Sequence, residues 1–236
     1  MSNNKSKDKK NQNLNEGHRE RLRQRYLDEG LDAFKPHEIL ELLMFYSRPR
    51  INTNDIAHRL INEFGSLANV LDADMNEIVR VEGVGKSTAL FLQLLPDVFR
   101  AYMLSKQEKT NILNTRTELK RYVKNLFIGE TVEKFIVICF DNNLDYIDQK
   151  IISTGSSGAV NFQISNVIEY VSLKRANIVV LAHNHPNSSS KPSNEDLFCT
   201  SQILNALNLM DVILEDHFII GKDGNYSMKD SGNLEF

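Results

Sequence analysis

Cysteine and long apolar runs are both scarce in this 236-residue chain, and each scarcity argues against a class of protein. The two cysteines, Cys139 and Cys199, do not make a disulfide framework, and we expect both thiols to be reduced. No stretch of 18 or more uncharged apolar residues is present, so we expect no membrane-spanning helix. The N-terminal residues lack the apolar core of a secretory signal. We therefore expect a protein of the cytoplasm, with no membrane partner.

A strong net charge is also missing, since 28 Lys and Arg nearly balance 31 Asp and Glu. Positive charge is concentrated at the start of the chain, where residues 1–25 hold eight basic and three acidic residues, a balance of +5. Residues 26–106 and 107–236 each carry −4. Any attraction to nucleic acid therefore has to come from the leading arm and the first helix. A solvated tail that aids solubility explains the same charges equally well.

Hydrophobic periodicity divides the chain into a helical part and an α/β part. Residues 1–15 are rich in Asn and Lys with almost no apolar content, which predicts a disordered basic tail. Apolar residues at helical spacing predict a small all-α bundle over 16–105, and the polar stretch 106–115 indicates a linker. From 116 to 236 the pattern becomes β-β-α-β-α-β-β, which predicts an α/β domain with a mixed sheet and flanking helices.

Two of the six histidines lie one residue apart in "VVLAHNHP", at the end of a predicted buried strand. Residues i and i+2 of a strand project from the same face, so His183 and His185 should point the same way. Asp196 follows in the first turn of a helix that Ser193 caps. Two histidines and one carboxylate suit a zinc ion whose fourth position is left to water, which is the arrangement of catalytic zinc sites.

Each part of this pattern also has a purely structural explanation. A lone H-x-H pair occurs by chance in surface loops. Ser193 and Asp196 form the S-x-x-D pattern of a capping box, which needs no metal. The combination of a strand end, paired histidines, a proline stop and a capped carboxylate favours a metal site over these separate explanations.

The motif resembles a known metalloprotease signature. H-x-H, seven residues and S-x-x-D are similar to the JAMM (also JAB or MPN) motif, without insertion or deletion. The version "HNHP" with a later "PSNED" resembles the RadC family of bacterial proteins. That resemblance runs along nearly the whole chain, through "GHRERLRQRYL", "VEGVGK", "EKFIVICFDNN" and "DHFIIG". It implies a JAMM- or deaminase-like α-β sandwich preceded by a helix-hairpin-helix region.

The resemblance also implies roles for individual residues. One zinc ion is bound by His183, His185 and Asp196. Glu133, the acid of "EKF", acts as the general base that such chemistry requires. Ser193 caps its helix and also donates a hydrogen bond to the oxyanion of a tetrahedral intermediate.

The chain departs from the family pattern at two places. Asn187-Ser188 follow the HNHP motif where Ser-Gly is common, and Ile164-Ser165-Asn166 stand where the preceding helix usually begins Pro-Arg-Glu. The metal ligands are kept, whereas the shape of the loop and any substrate contact through the missing arginine are left open. His217 matches a position typical of the family, where a packed, hydrogen-bonded histidine is favoured over a fourth ligand.

The stretch "IVRVEGVGKSTAL" resembles a helix-hairpin-helix, with Gly83 and Gly85 on either side of Val84. Glycines permit a tight turn, and backbone N–H groups at the start of the next helix can face a phosphate, with Lys86 adding charge. The alternative is a turn that only packs two helices together, and the acidic balance of 26–106 supports it. DNA binding through the hairpin and the N-terminal arm is therefore a hypothesis with an equal rival.

Two functions follow as hypotheses. The first is a zinc-dependent hydrolase that cleaves a peptide or isopeptide bond in a protein or peptide substrate, with the role in DNA repair or processing that a RadC-like architecture implies. The second is a non-enzymatic DNA-binding accessory protein whose metal domain is structural or mediates protein contacts. A zinc base deaminase is excluded, because it requires H-x-E and P-C-x-x-C. A two-metal nuclease needs more carboxylates than this site offers.

Overall fold

The structure of the chain is a computed structural model that describes residues 17–49, 51–107, 112–155 and 164–234. The predicted tail 1–15 lies outside the described residues, as does 108–111 of the predicted linker.

The chain divides into two compact units, with the boundary between Asp97 and Val98. This division falls inside helix α6 (Lys86–Ser105), ahead of the predicted linker 106–115.

Short helices make up the first unit. Residues 17–29 are helical (α1), and α2 (Pro36–Ser47), α3 (Asn54–Phe64), α4 (Leu67–Asp72), α5 (Met75–Arg80) and the first part of α6 follow. The helix ends agree with residue preferences: Pro36 opens α2, while Ser66 and Asp74 cap α4 and α5 through their side chains. Gly65 ends α3 in left-handed backbone, with φ of 83°. The predicted helical region preceding the sheet is confirmed.

One buried apolar cluster holds these helices together. Its members come from α2 through α6, at the spacing of helix faces that point inward. They are Leu40, Met44, Ile56, Ala57, Leu60, Val70, Ile78, Val84, Ala89 and Leu92.

The second unit is a mixed five-stranded sheet flanked by helices. Its elements are α7 (Arg116–Leu126), β1 (Glu133–Phe140), β2 (Tyr146–Gly155), α8 (Ile164–Lys174), β3 (Ile178–Asn184), α9 (Asn194–Asn208), β4 (Ile213–Gly221) and β5 (Gly224–Ser227). The strand order is β2-β1-β3-β4-β5, with β3 and β4 parallel and the other neighbours antiparallel. The predicted mixed sheet is confirmed, whereas α7 is an element that we do not predict from the sequence.

Alternate residues of the central strands face two separate cores. In β3, Val179 and Leu181 pack into the cluster that includes residues of α8 and α9, whereas Val180 and Ala182 pack into the cluster that includes residues of α7. This alternation is the period of two that a strand imposes. His183 comes two residues after Leu181, so it lies on the α9 face of the sheet.

Two further expectations concern the membrane and the thiols. Within the described ranges, no helix combines the length and the apolar content that crossing a bilayer requires. Both cysteines are free thiols, and burial raises the pKa of the Cys139 thiol to about 12. Cys139 is therefore an inert core residue.

Candidate metal centre

The two histidines of the motif lie side by side at the end of β3. His183 belongs to the strand, and His185 follows it, with its backbone N–H donating to the Ile220 carbonyl of β4 at 2.7 Å. This bond continues the strand pairing past Asn184 and keeps both histidines on one face. Their Nε2 atoms are 2.9 Å apart.

The start of α9 adds a carboxylate to this pair. The Ser193 hydroxyl accepts from the Asp196 N–H at 3.1 Å, and the Asp196 carboxylate accepts from the Ser193 N–H at 2.8 Å, which is a reciprocal capping box. Asp196 Oδ1 then lies 3.2 Å from His183 Nε2, and Oδ2 lies 3.5 Å from His185 Nε2. Burial alone would raise the pKa of Asp196, but the bonds with both histidines outweigh it and hold this pKa well below its usual range.

The hydrogen bond on the far side of His185 determines which ring nitrogen carries the proton. Its Nδ1 lies 2.8 Å from the backbone oxygen of Ser189, and a carbonyl can only accept. The hydrogen is therefore on Nδ1, and the neutral ring presents an unprotonated Nε2 to the centre.

A longer chain of hydrogen bonds determines which ring nitrogen of His183 carries a hydrogen. The Thr200 hydroxyl has one hydrogen, and it goes to the Asp196 carbonyl at 2.6 Å, because that oxygen can only accept. His217 Nδ1, 2.6 Å from Thr200 Oγ1, must then be the donor of that bond. His217 Nε2 accepts from His183 Nδ1 at 2.8 Å, and burial holds the pKa of His217 well below its ordinary value, so the ring is neutral. His183 Nδ1 therefore carries a hydrogen, and Nε2 is the nitrogen that a neutral His183 ring offers to the centre.

Three electron-pair donors that converge in this way attract a cation. Bonds of about 2.0–2.1 Å to a tetrahedral zinc ion separate neighbouring ligand atoms by roughly 3.3 Å. The separations between the three donor groups are 2.9, 3.2 and 3.5 Å. The residues therefore fit a divalent ion of tetrahedral geometry, with one position left for another ligand. The bond to Asp196 raises the pKa of His185, so a metal ion and a proton compete for its Nε2.

A second carboxylate, that of Glu133, lies beside the histidine pair. Its oxygen and the ligand nitrogens of His183 and His185 all lie within 4.8 Å of one another. Asp196 is closer to both nitrogens, at 3.2 and 3.5 Å. Asp196 is therefore the carboxylate placed to complete the histidine pair, and Glu133 is a second acid that adjoins it.

The nearby Glu130 is not available for this role. Arg100 binds its carboxylate at 2.6 Å, and Lys134 forms a second ion pair with it. Two cations thus hold Glu130, whereas Glu133 adjoins the histidines.

Asn184, the residue between the two histidines, has a positioning role that we do not predict from the sequence. Its Oδ1 accepts from the Lys134 N–H at 2.8 Å, and its Nδ2 donates to the Val132 carbonyl at 3.0 Å. These two backbone groups flank Glu133, so Asn184 fixes that residue relative to β3. The available signal was an amide in a strand predicted to be buried, where an unpaired amide is costly.

The glycine hairpin lies in the helical unit, between α5 and α6. Gly83 has φ of 90°, and a Cβ at this position would lie 2.9 Å from Ile56 Cγ1, so glycine is required for turn and packing alike. Arg48 donates a side-chain hydrogen bond to the Gly83 carbonyl. Gly85 precedes α6, and Lys86 is its exposed first residue.

Several arginines of α1 are engaged within the helical unit. Arg19 donates to the carbonyls of Arg48, Pro49 and Ile51 at 2.5–2.7 Å. Arg25 forms an ion pair with Glu38 at 2.9 Å. The positive charge that α1 could offer to a phosphate is therefore smaller than the sequence count suggests.

Comparison with known proteins finds similarity over nearly the whole chain. The model of a family described as "RadC-like JAB domain" matches residues 113–233, which include every residue of the metal centre. A UPF0758 protein of Fusobacterium nucleatum subsp. nucleatum is 32% identical over 225 residues, covering 92% of this chain and 97% of that protein. A UPF0758 protein of Acinetobacter baylyi is 31% identical over 217 residues, covering 91% and 80% respectively.

Proposed function

This chain belongs to the family of RadC-like JAB domain proteins, and on that premise we propose that it is a zinc-dependent hydrolase that cleaves a peptide or isopeptide bond. The observation that carries the proposal is the convergence of two imidazole Nε2 atoms and a carboxylate, with a second carboxylate beside them. A closed structural zinc site has four protein ligands, whereas this arrangement leaves a position open.

The chemistry divides between the ion and the protein. When bound, zinc supplies Lewis acidity, which lowers the pKa of a water to about 7 and polarises a carbonyl. Glu133 removes the proton of the attacking water and later delivers it to the leaving amine. Asn184 keeps Glu133 in reach by fixing the backbone on both sides of it.

Ser193 is the N-cap of α9. Its hydroxyl hydrogen is directed at Asp196 Oδ2 at 2.8 Å, so rotation about the Cβ–Oγ bond has to precede any bond to an oxyanion. The Ser193 N–H, also 2.8 Å from Asp196 Oδ2, would hold the carboxylate in place meanwhile. We propose that Ser193 donates to the developing oxyanion after this rotation.

DNA is the proposed partner of the helical unit. Gly83, Gly85 and Lys86 are the proposed contact residues, together with the basic N-terminal arm, and they would link the hydrolase to DNA repair or processing in the cytoplasm. The alternative is an accessory protein without catalytic activity, in which the metal domain is structural or mediates protein contacts. Substitutions at Glu133 and His185 distinguish these two functions. A structural metal site needs only His185, whereas hydrolysis needs both residues.

Metal content and turnover of the purified protein test this proposal. We expect about one zinc ion per chain in the wild type, its loss in His185→Ala and Asp196→Ala, and its retention in Glu133→Gln. A panel of peptide, isopeptide-linked and nucleic-acid substrates should show cleavage of an amide by the wild type, and Glu133→Gln should abolish that cleavage. Wild-type protein without zinc would overturn the metal-dependent function. Zinc binding with equal turnover in Glu133→Gln would overturn the role of that acid.

A further inference from the structure

The loop that follows the HNHP motif is attached to the turn between β4 and β5. The Lys222 N–H donates to the Ser188 carbonyl at 3.0 Å. Asp223 accepts two hydrogen bonds from consecutive residues, one from the Ser189 hydroxyl at 2.5 Å and one from the Ser190 N–H at 2.7 Å. The turn thus holds the loop from a position more than thirty residues later in the chain.

The contact is close enough to require a glycine in β4. A Cβ at Gly221 would lie 2.2 Å from the Ser190 nitrogen and 2.6 Å from the Ser189 carbonyl carbon. Backbone atoms cannot yield to such a contact, so the loop and the strand fit only without a side chain. The approach therefore brings the peptide unit between Ser189 and Ser190 directly onto the turn.

That single peptide unit has the carboxylate at one end and a metal ligand at the other. Its N–H, that of Ser190, donates to Asp223 Oδ1, and its carbonyl, that of Ser189, accepts from His185 Nδ1 at 2.8 Å. Hydrogen bonds in a chain polarise one another, so a negative charge at the N–H end makes the carbonyl oxygen a stronger acceptor. A stronger acceptor at Nδ1 keeps the proton there and raises the basicity of Nε2.

We propose that Asp223 is a positioning residue of the metal centre, which acts on His185 through the peptide unit between Ser189 and Ser190. The arrangement is a carboxylate–histidine–metal relay with a peptide inserted between the carboxylate and the imidazole. The inference rests on the proposed function in that it assumes a metal at His185.

The hydrogen bonds from the β4–β5 turn also explain how the loop after the HNHP motif keeps its shape although two of its residues differ from the common family pattern. Asn187 and Ser188 replace the common Ser-Gly, yet the bonds that direct Ser189 toward His185 come from the turn. The hydrogen bonds from Ser189 and Ser190 lower the pKa of Asp223 to about 2, so its negative charge is present throughout the pH range in which zinc binds.

Zinc affinity and the ring tautomer of His185 together test the relay. Zinc dissociation constants are measured by competition with a chromophoric chelator. We expect Asp223→Ala to weaken binding about 10-fold, which is the usual effect of an outer-shell partner, and Asp223→Asn to weaken it less. Ring ¹⁵N shifts of metal-free protein, recorded at a pH where the His185 ring is neutral, should show the proton on Nδ1 in the wild type and a mixture of tautomers in Asp223→Ala.

A matched control and a fold control accompany these variants. Lys222→Gln removes a neighbouring charge but keeps the backbone N–H that binds Ser188, and we expect wild-type affinity. The unfolding midpoint of each metal-free variant shows that the fold is intact, and Asp223→Asn keeps the shape of the side chain. Wild-type affinity and an unchanged His185 tautomer in both Asp223 variants would overturn the relay. Absence of zinc from the wild type would count against the proposed function. The tautomer of His185 in metal-free protein would still show whether Asp223 acts on that ring.

Discussion

At the scale of single residues, the centre depends on where a few protons lie. Thr200 has one hydroxyl hydrogen, and its use by the Asp196 carbonyl makes the oxygen an acceptor for His217. From there the order of donors and acceptors is fixed as far as His183. A hydroxyl of α9 thus keeps the ring hydrogen of His183 on Nδ1, away from the nitrogen that faces the centre.

Replacing this hydroxyl should weaken metal binding. In Thr200→Val, His217 loses the acceptor for its Nδ1–H, so the tautomer with the hydrogen on Nε2 becomes about as stable as the one with it on Nδ1. With a hydrogen on it, His217 Nε2 can no longer accept from His183 Nδ1, and the ring hydrogen of His183 then moves to Nε2, the nitrogen that would bind the metal. We expect zinc affinity to fall about 10-fold in Thr200→Val and to stay near wild type in Thr200→Ser, which keeps the hydroxyl. Chelator competition measures both. Equal affinity in Thr200→Val and wild type would contradict this order of protons along Thr200, His217 and His183.

At the scale of elements, the site is built where β1, β3 and the start of α9 meet. β1 and β3 are antiparallel, with Phe135 opposite His183, which brings the first residue of β1 to the end of β3. The capping box orients α9 so that its first turn faces the same point. Asn184 then joins β3 to the segment that leads into β1.

Removing the Asn184 amide should destabilise the sheet. Asn184→Ala deletes two hydrogen bonds and leaves the Lys134 N–H and the Val132 carbonyl without that partner. An unpaired group costs about 1–3 kcal/mol when it is buried, and Val132 and Lys134 are only partly buried, so we expect the free energy of unfolding to fall by about 2 kcal/mol in total, as measured by urea denaturation. The control is Asn187→Ala, three residues later and exposed, for which we expect a change within about 0.5 kcal/mol. An equally small effect for Asn184→Ala would show that the two hydrogen bonds of its side chain contribute little to stability.

At the scale of the whole molecule, the chain combines a helical unit and an α/β unit that holds the candidate metal centre, with a net charge of −3. The charge balance opposes strong, nonspecific binding of a polyanion. Part of the basic charge of α1 is used inside the helical unit, by Arg19 and Arg25. The proposed binding of DNA by the helical unit would therefore depend on the hairpin and on the N-terminal arm.

Salt dependence of DNA binding by the full chain tests this partner. Neutralising a lysine that contacts a phosphate weakens binding for all sequences alike and lowers the slope of log K against log salt by about one. We expect this result for Lys86→Ala. Lys124→Ala, an exposed lysine of α7, should bind as the wild type does. Identical slopes for Lys86→Ala and wild type would favour the alternative in which the hairpin only packs two helices.

The mixed sheet and the helical region before it follow from local periodicity, and the RadC-like resemblance follows from the residues and spacings of short motifs, so all three are predictable from the sequence. It also predicted that one helix start would be capped and present a carboxylate, since the capping box and the ligand occupy neighbouring positions along the chain. The sequence does not predict the roles of Thr200, Gly221 and Asp223, and for His217 it predicts a packed, hydrogen-bonded ring but not the partners of that ring. Their hydrogen bonds and close contacts join residues up to 34 positions apart, and no periodicity records which distant side chain will meet an imidazole. Packing of α9 and the β4–β5 turn against the end of β3 determines those contacts, and with them which ring nitrogen of each histidine faces the candidate metal centre.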